Sequence, residues 1–371
     1  MEFLFEYLMF LAQAATVVVA LLIVISSLAS LGSRGQSRAN EGRLSIHKLN
    51  DRIRDLKYSL ESSVIDADLV KKARKQEAKE ESKKNKKAKK EQKKALRESK
   101  TGDEEHNKEH EGTEKRAFVV LFEGDVKASS LDNLRLEITA ILTLANEADE
   151  VVVCIESPGG MVHSYGLAAS QLERIKAKGI PLTVAVDKVA ASGGYLMASV
   201  ADKIIAAPFA LLGSIGVVAQ IPNVHKLLKK NDVDVELLTA GKYKRTLSIF
   251  GENTEEGRQK FMEEIEDVHL LFQEFVTNNR PDLDIEKVAT GEAWYGKRAL
   301  DLNLVDQLLT SDEYIVDLCS ERSVYQVEWE INKSPVDKFL GKVNGTLDKV
   351  HDLLSGVITV SYTHLTLPTK A

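Results

Sequence analysis

From Ala117 onward the sequence predicts an α/β domain built on a parallel sheet of βαβ units. Three observations predict it. Strand-like and helix-like segments alternate. The strand candidates are continuous apolar runs, the mark of strands buried on both faces. Two glycine-bearing turns follow consecutive strand candidates, where a parallel sheet gathers its ligand-binding loops.

The elements follow in order. "AFVVLFEGDV" reads as a strand, and "LDNLRLEITAILTLANEA" carries apolar residues at helical spacing. "EVVVCIES" is the next buried strand. "HSYGLAASQLERIKAKG" is a helix whose end is marked by Gly179. "IPLTVAVD" and "DKIIAAP" are strands, and "VDVELLTA" (233–240) is expected to be another. "TEEGRQKFMEEIEDVHLLFQEFVTNN" is a long helix with Thr254 as its N-cap and acids in its first turn. "SPVDKFLGKVNGTLDKVHDLLSGV" has an amphipathic helical pattern suited to a partner or a membrane surface. The final "SYTHLTLPTKA" matches nothing before it and is set aside as a non-native tail.

The chain of 371 residues has a net charge of −6, but that average hides an uneven distribution. Between Phe3 and Leu31 the only charge is Glu6, and this stretch exceeds the roughly 20 residues needed to cross a bilayer. No Lys or Arg precedes it, so an uncleaved anchor fits better than a signal peptide. Arg34, Arg38, Arg43, Lys48, Arg52 and Arg54 follow it, which by the positive-inside rule places the bulk of the chain in the cytoplasm. A second apolar region, 189–224, contains Asp202, Lys203, Pro208, Gly213 and Gly216, and reads as several short buried elements. From Asp66 to Arg116 the sequence is rich in Lys, Glu and Gln and has almost no apolar residues after Val70, so it cannot bury a core. Without interleaved aromatic residues it does not read as a nucleic-acid site; it reads as a charged tether near anionic lipid. The boundaries are an anchor at 1–33, a charged and partly helical or disordered linker at 34–116, the α/β domain at 117–325, an amphipathic region at 326–360 and the tail at 361–371.

The two cysteines, Cys154 and Cys319, form neither a disulfide framework nor a metal motif. No cofactor is implied, and Cys154 reads as a buried core thiol.

The two glycine turns are "ESPGGMV" (156–162) and "VAASGGY" (189–195). A Gly-Gly pair at a strand end turns backbone N–H groups toward a ligand, as an oxyanion hole requires. Ser192, followed by Gly193 and Gly194, sits where a nucleophile is exposed. Each motif alone is equally a structural turn. A nucleophilic serine needs a base. His163, His225, His269 and His351 have no evident carboxylate companion. A lysine serves if burial lowers its pKa from ~10.4 toward 7 or 8, and "LLTAGKYKRTLSIFG" supplies Lys242 and Lys244.

"SPGG", "AASGGY", "GSIGV" and "GKYK", in this order and spacing, resemble the signal peptide peptidase A family of serine peptidases over roughly residues 1–340. The resemblance implies a ClpP/crotonase-like fold, an N-terminal transmembrane helix with a charged linker, and a Ser-Lys dyad. On that pattern Ser192 is the nucleophile, Lys244 the general base, and Ser214 the hydroxyl that holds the lysine amine. Gly159, Gly160 and Gly193 supply oxyanion amides. It further implies a homo-oligomer, a ring or dome, with the dyad completed between neighbouring protomers. The substrates implied are signal peptides or membrane-associated chains at a bacterial inner membrane. In this family the substrate points to the outer side of that membrane, against the positive flank. "ALDLNLVD" departs from the pattern by placing Asn303 where a glycine is expected, a change an Asn tolerates in the left-handed region. Two other readings remain: a crotonase-type acyl-CoA enzyme, and a non-catalytic membrane scaffold.

Overall fold

The computed structural model describes residues 42–66 and 115–330, with scattered positions between 9 and 86. Apart from Met9 and Thr16, the anchor expected at 1–33 lies outside the described residues, as do the amphipathic helix after Ser334 and the tail. Among the described residues no helix is long and apolar enough to cross a membrane.

The chain divides into two units, one of residues 1–44 with 329–371 and one of Ser45–Glu328. In the first, Arg43 pairs with Glu330 at 3.0 Å. The second holds the sheets. In chain order the elements are β1 (Arg43–Lys48), α1 (Leu49–Val64), β2 (Arg116–Glu123), α2 (Leu131–Leu144), β3 (Glu150–Glu156), α3 (Val162–Lys176), β4 (Leu182–Val186), β5 (Val189–Ala191), α4 (Gly193–Ala198), β6 (Lys203–Ala206) and β7 (Leu211–Gly213). There follow α5 (His225–Lys230), α6 (Glu255–Asn279), α7 (Ile285–Val288), β8 (Ala293–Tyr295), α8 (Gly296–Asp301), β9 (Gln307–Leu308), α9 (Ser311–Glu321) and β10 (Ser323–Glu330).

Seven strands form one sheet in the order β1-β10-β2-β3-β4-β6-β9. From β10 to β9 every pairing is parallel, as the βαβ alternation predicts. The centre of this sheet is buried on both faces. Ala117 and Val119 of β2 pack with Leu49 of α1 and Leu318 of α9. Phe122, on the opposite face by the two-residue alternation of a strand, meets Tyr165 of α3 edge-on at 6.3 Å. A second sheet, β5-β7-β8, holds the loops of interest.

Several expectations meet the structure directly. Thr254 caps α6 through a bond from Gly257 N to its hydroxyl at 3.1 Å. Gly179 has φ of 70° and Asn303 has φ of 60°, so the asparagine does occupy the left-handed region a glycine would. The apolar region 189–224 is indeed broken into β5, α4, β6 and β7. Cys154 is mostly buried, and burial pushes its thiol up to about 12.

Other elements differ. The linker expected at 34–116 contains β1 and α1, whose Leu49 enters the core. β10 runs across the expected domain boundary at 325. The strand expected over 233–240 does not form, and every residue in that range is exposed. Among the described residues no strand pairs with it, and a lone strand is not stable in water.

Candidate active site

β3 ends at Glu156 and the chain turns through Ser157-Pro158-Gly159-Gly160. Two backbone bonds stitch this turn to β5: Ser157 N donates to Val189 O at 2.8 Å, and Ala191 N donates to Ser157 O at 3.0 Å. Met161 N then donates to Val126 O at 2.8 Å. Gly159 has φ of 88°, and a side chain there would stand 2.7 Å from both Gly193 N and Ser192 Cβ. The first glycine turn is thus in direct contact with the second.

The second turn presents Ser192. β5 ends at Ala191, and α4 begins at Gly193. Between them Ser192 takes φ 51° and ψ −119°, a conformation L-residues avoid at a cost of about 1–3 kcal/mol. A serine strained between a strand and a helix is lifted clear of both, the geometry that exposes a nucleophilic hydroxyl. Leu196 N closes the first helical turn onto Ser192 O at 2.9 Å. Gly193 has no room for a side chain, because a Cβ would enter the ring of Tyr165.

Ser214 lies alongside. β5 and β7 pair in parallel, with Ala191 opposite Gly213. Ser192 N donates to Gly213 O at 2.8 Å, and Ser214 N to Glu292 O at 2.6 Å. Both serines are half-buried.

Lys244 is not brought to this site within the chain. It is exposed, in a turn closed by its own amide on Gly241 O at 3.2 Å, and no hydrogen bond joins it to Ser192 or Ser214. Its neighbour Lys242 is engaged elsewhere. Lys242 pairs with Glu256 at 2.9 Å, and the Tyr243 hydroxyl and the Glu256 carboxylate hold its ammonium above the ordinary lysine range.

Residues 2–172 match the family model "Peptidase family S49 N-terminal", and residues 174–324 match "Peptidase family S49". A "Putative protease SohB" of Buchnera aphidicola subsp. Baizongia pistaciae is 41% identical over 350 residues, 94% of this chain and 97% of the relative. The chain belongs to peptidase family S49. A "Probable protease SohB" of Haemophilus influenzae is 60% identical over 228 residues, 61% of this chain and 65% of that relative. A second, from Buchnera aphidicola subsp. Acyrthosiphon pisum, is 52% identical over 235 residues, 63% of this chain and 70% of the relative.

In this S49 chain the three glycines expected to offer amides differ. Gly159 N already donates to Ser157 Oγ at 3.0 Å, so it is not available to a ligand. The amides of Gly160 and Gly193 donate to no protein acceptor among the described residues. Of the histidines, His163 is exposed in the first turn of α3, and His269 pairs with Gln273 on α6. None bonds to Ser192, and His351 lies outside the described residues.

Two residues of the site carry no chemical signature in the sequence. In sequence Tyr165 is one residue of the helix "HSYGLAASQLERIKAKG", and Asp125 one residue of the strand candidate "AFVVLFEGDV". In the fold Tyr165 is fully buried and lies between the two glycine turns. Burial also raises its phenol above the ordinary tyrosine range.

Proposed function

We propose that this chain is a membrane-anchored serine endopeptidase that cleaves signal peptides or membrane-associated polypeptides with a Ser-Lys dyad. The observation that carries the reading is Ser192, strained at a strand-to-helix turn and pressed against the Gly159-Gly160 turn. The amide of Gly193, next in sequence, and that of Gly160, in the turn it touches, have no protein acceptor among the described residues. In this reading Ser192 Oγ attacks the substrate carbonyl, and neutral Lys244 takes its proton. The oxyanion is held by the amides of Gly160 and Gly193. Gly159 contributes its positive φ and the shape of the turn, in place of the donor role expected for it. Lys244 returns its proton to the leaving amine, and water releases the acyl group.

Lys244 reaches the serine from a neighbouring protomer. The segment that carries it supports this. It exposes Val218 at 92% and Leu238 at 86%, with Ile249 and Phe250 also open to solvent, apolar surface that a second copy would cover. A second copy covering it would supply the missing edge for residues 233–240 and desolvate the lysine, which favours the neutral amine. Ser214, one residue past the rung shared with β5, orients that amine in this reading. The apolar stretch at 3–31 would anchor the assembly in the bacterial inner membrane.

The test is hydrolysis of a leucine- and alanine-rich peptide by the full chain in detergent. Ser192→Ala and Lys244→Ala are each expected to lower kcat by at least a thousandfold. Full activity in both variants would rule the dyad out.

A further inference from the structure

A continuous hydrogen-bond chain runs beneath the glycine turn. Gly159 N lies 3.0 Å from Ser157 Oγ, Ser157 Oγ lies 2.6 Å from Tyr165 Oη, and Tyr165 Oη lies 2.7 Å from Asp125 O. Its direction is fixed by chemistry. An amide only donates and a carbonyl only accepts. Each hydroxyl between them therefore passes its proton onward: Ser157 donates to Tyr165, and Tyr165 donates to Asp125. Every link in a chain of this polarity strengthens the next.

The far end is itself held in place. The Asp125 carboxylate accepts from Lys127 N at 3.1 Å, Ser129 N at 2.8 Å and Ser129 Oγ at 2.7 Å. Those bonds fix the loop whose carbonyl receives the tyrosine. The near end touches both halves of the site. Ser157 sets the Gly159 peptide, and the Tyr165 ring packs against the Cα of Gly193. Ser157 and Tyr165 are both completely buried, so water cannot replace either partner.

We infer that Ser157 and Tyr165 are positioning residues for the oxyanion site: one hydrogen-bond chain to the Asp125 carbonyl sets the spacing between the Gly159-Gly160 turn and the Gly193 amide. The inference rests on the serine-peptidase reading above. It assigns neither residue a contact with substrate. The chain also occupies the Gly159 amide, leaving only Gly160 and Gly193 to face an oxyanion.

The test measures kcat and KM of the full chain carrying Ser157→Ala, Tyr165→Phe, and both. Each single variant is expected to lower kcat about tenfold, with KM changed by less than about twofold, because an oxyanion site acts on the transition state. The double variant is expected to be no slower than the slower single by more than about threefold, since both break one chain. Unchanged kcat with a lowered melting temperature would show plain structural fasteners and overturn the inference. So would kcat losses that multiply. If Tyr165→Phe does not fold, Ser157→Ala, which removes one atom, carries the kcat test alone. A Ser192→Ala control that keeps activity would instead sink the peptidase reading, so the two failures are distinguishable.

Discussion

Ser192 and Ser214 each follow the same rung of the β5–β7 ladder, Ala191 opposite Gly213, and each has φ of 51°. The Ser192 amide donates to the carbonyl of Gly213 at 2.8 Å, so backbone geometry alone sets the two serines side by side. The strain at Ser192 is retained although a glycine would remove it. Ser192→Gly is therefore expected to raise stability by about 1 kcal/mol, after the extra freedom glycine gains in the unfolded chain, while abolishing peptide hydrolysis. Ser192→Ala keeps the strained backbone and is expected to leave stability within about 0.5 kcal/mol of wild type. Chemical denaturation of the three proteins compares them directly, and a Ser192→Gly variant less stable than Ser192→Ala would argue against stored strain.

The exposed position of Lys244 makes a separate prediction about assembly. If serine and lysine come from different protomers, Ser192→Ala and Lys244→Ala subunits are each inactive alone but complement when mixed. Random assembly at equal concentrations pairs an intact serine with an intact lysine at about a quarter of the sites. Recovery of about a quarter of wild-type activity after dissociation and remixing is the expected result. No recovery, with mixed oligomers shown to form, would place both groups in one chain.

What the sequence made legible, and what it hid, divides along contact distance. The parallel sheet was readable because β2, β3 and β4 are short apolar runs with turn residues at their ends. Ser192 was readable because its small neighbours are local in sequence. Tyr165 was not, because its role is a bond to a carbonyl 40 residues away, and on a helix it looks like any core aromatic. The difference between Gly159 and Gly160 was hidden for the same reason, since it depends on where the Ser157 hydroxyl points. The absent strand at 233–240 shows the opposite error. Its local pattern is sound, but pairing needs a neighbouring strand, and none among the described residues pairs with it.

Close packing around the second turn yields a matched pair of glycine variants. Gly193→Ala drives a methyl group into the Tyr165 ring, whereas at Gly166, on the same helix as that tyrosine, a Cβ meets nothing within 4 Å. Gly193→Ala is expected to cost about 1–3 kcal/mol of overpacking and to reduce kcat at least tenfold by displacing an oxyanion amide. Gly166→Ala is expected to stabilise the protein by about 0.5–1 kcal/mol, as helical glycine-to-alanine changes do, with activity unchanged. Melting temperatures and kcat values measured side by side check both. Equal effects at the two positions would contradict the packing.

The acid limb of stability has an identifiable contributor at the N-terminal edge of the sheet. The Asp149 side chain, only 2% exposed, accepts Arg116 Nη2 at 2.6 Å. It also accepts Arg116 Nε at 3.0 Å and Asn146 N at 3.0 Å. Burial alone would raise this carboxyl, but the Arg116 guanidinium and the Asn146 amide outweigh it and hold it below the usual carboxylate range. The same bond holds Arg116 above its ordinary value. Because the folded pKa is depressed, the native state binds fewer protons than the unfolded chain. The stabilisation is therefore complete above the unfolded value of about 4 and is lost as pH falls from there through the lower folded value. Asp149→Asn is expected to cost about 2 kcal/mol at pH 7, less than a fully buried pair would lose because Arg116 reaches solvent. It is also expected to flatten the fall in stability below pH 4. Urea titrations of the full chain between pH 3 and 7 measure both effects, and a variant whose stability falls with acid as steeply as wild type would show that other carboxylates govern this limb.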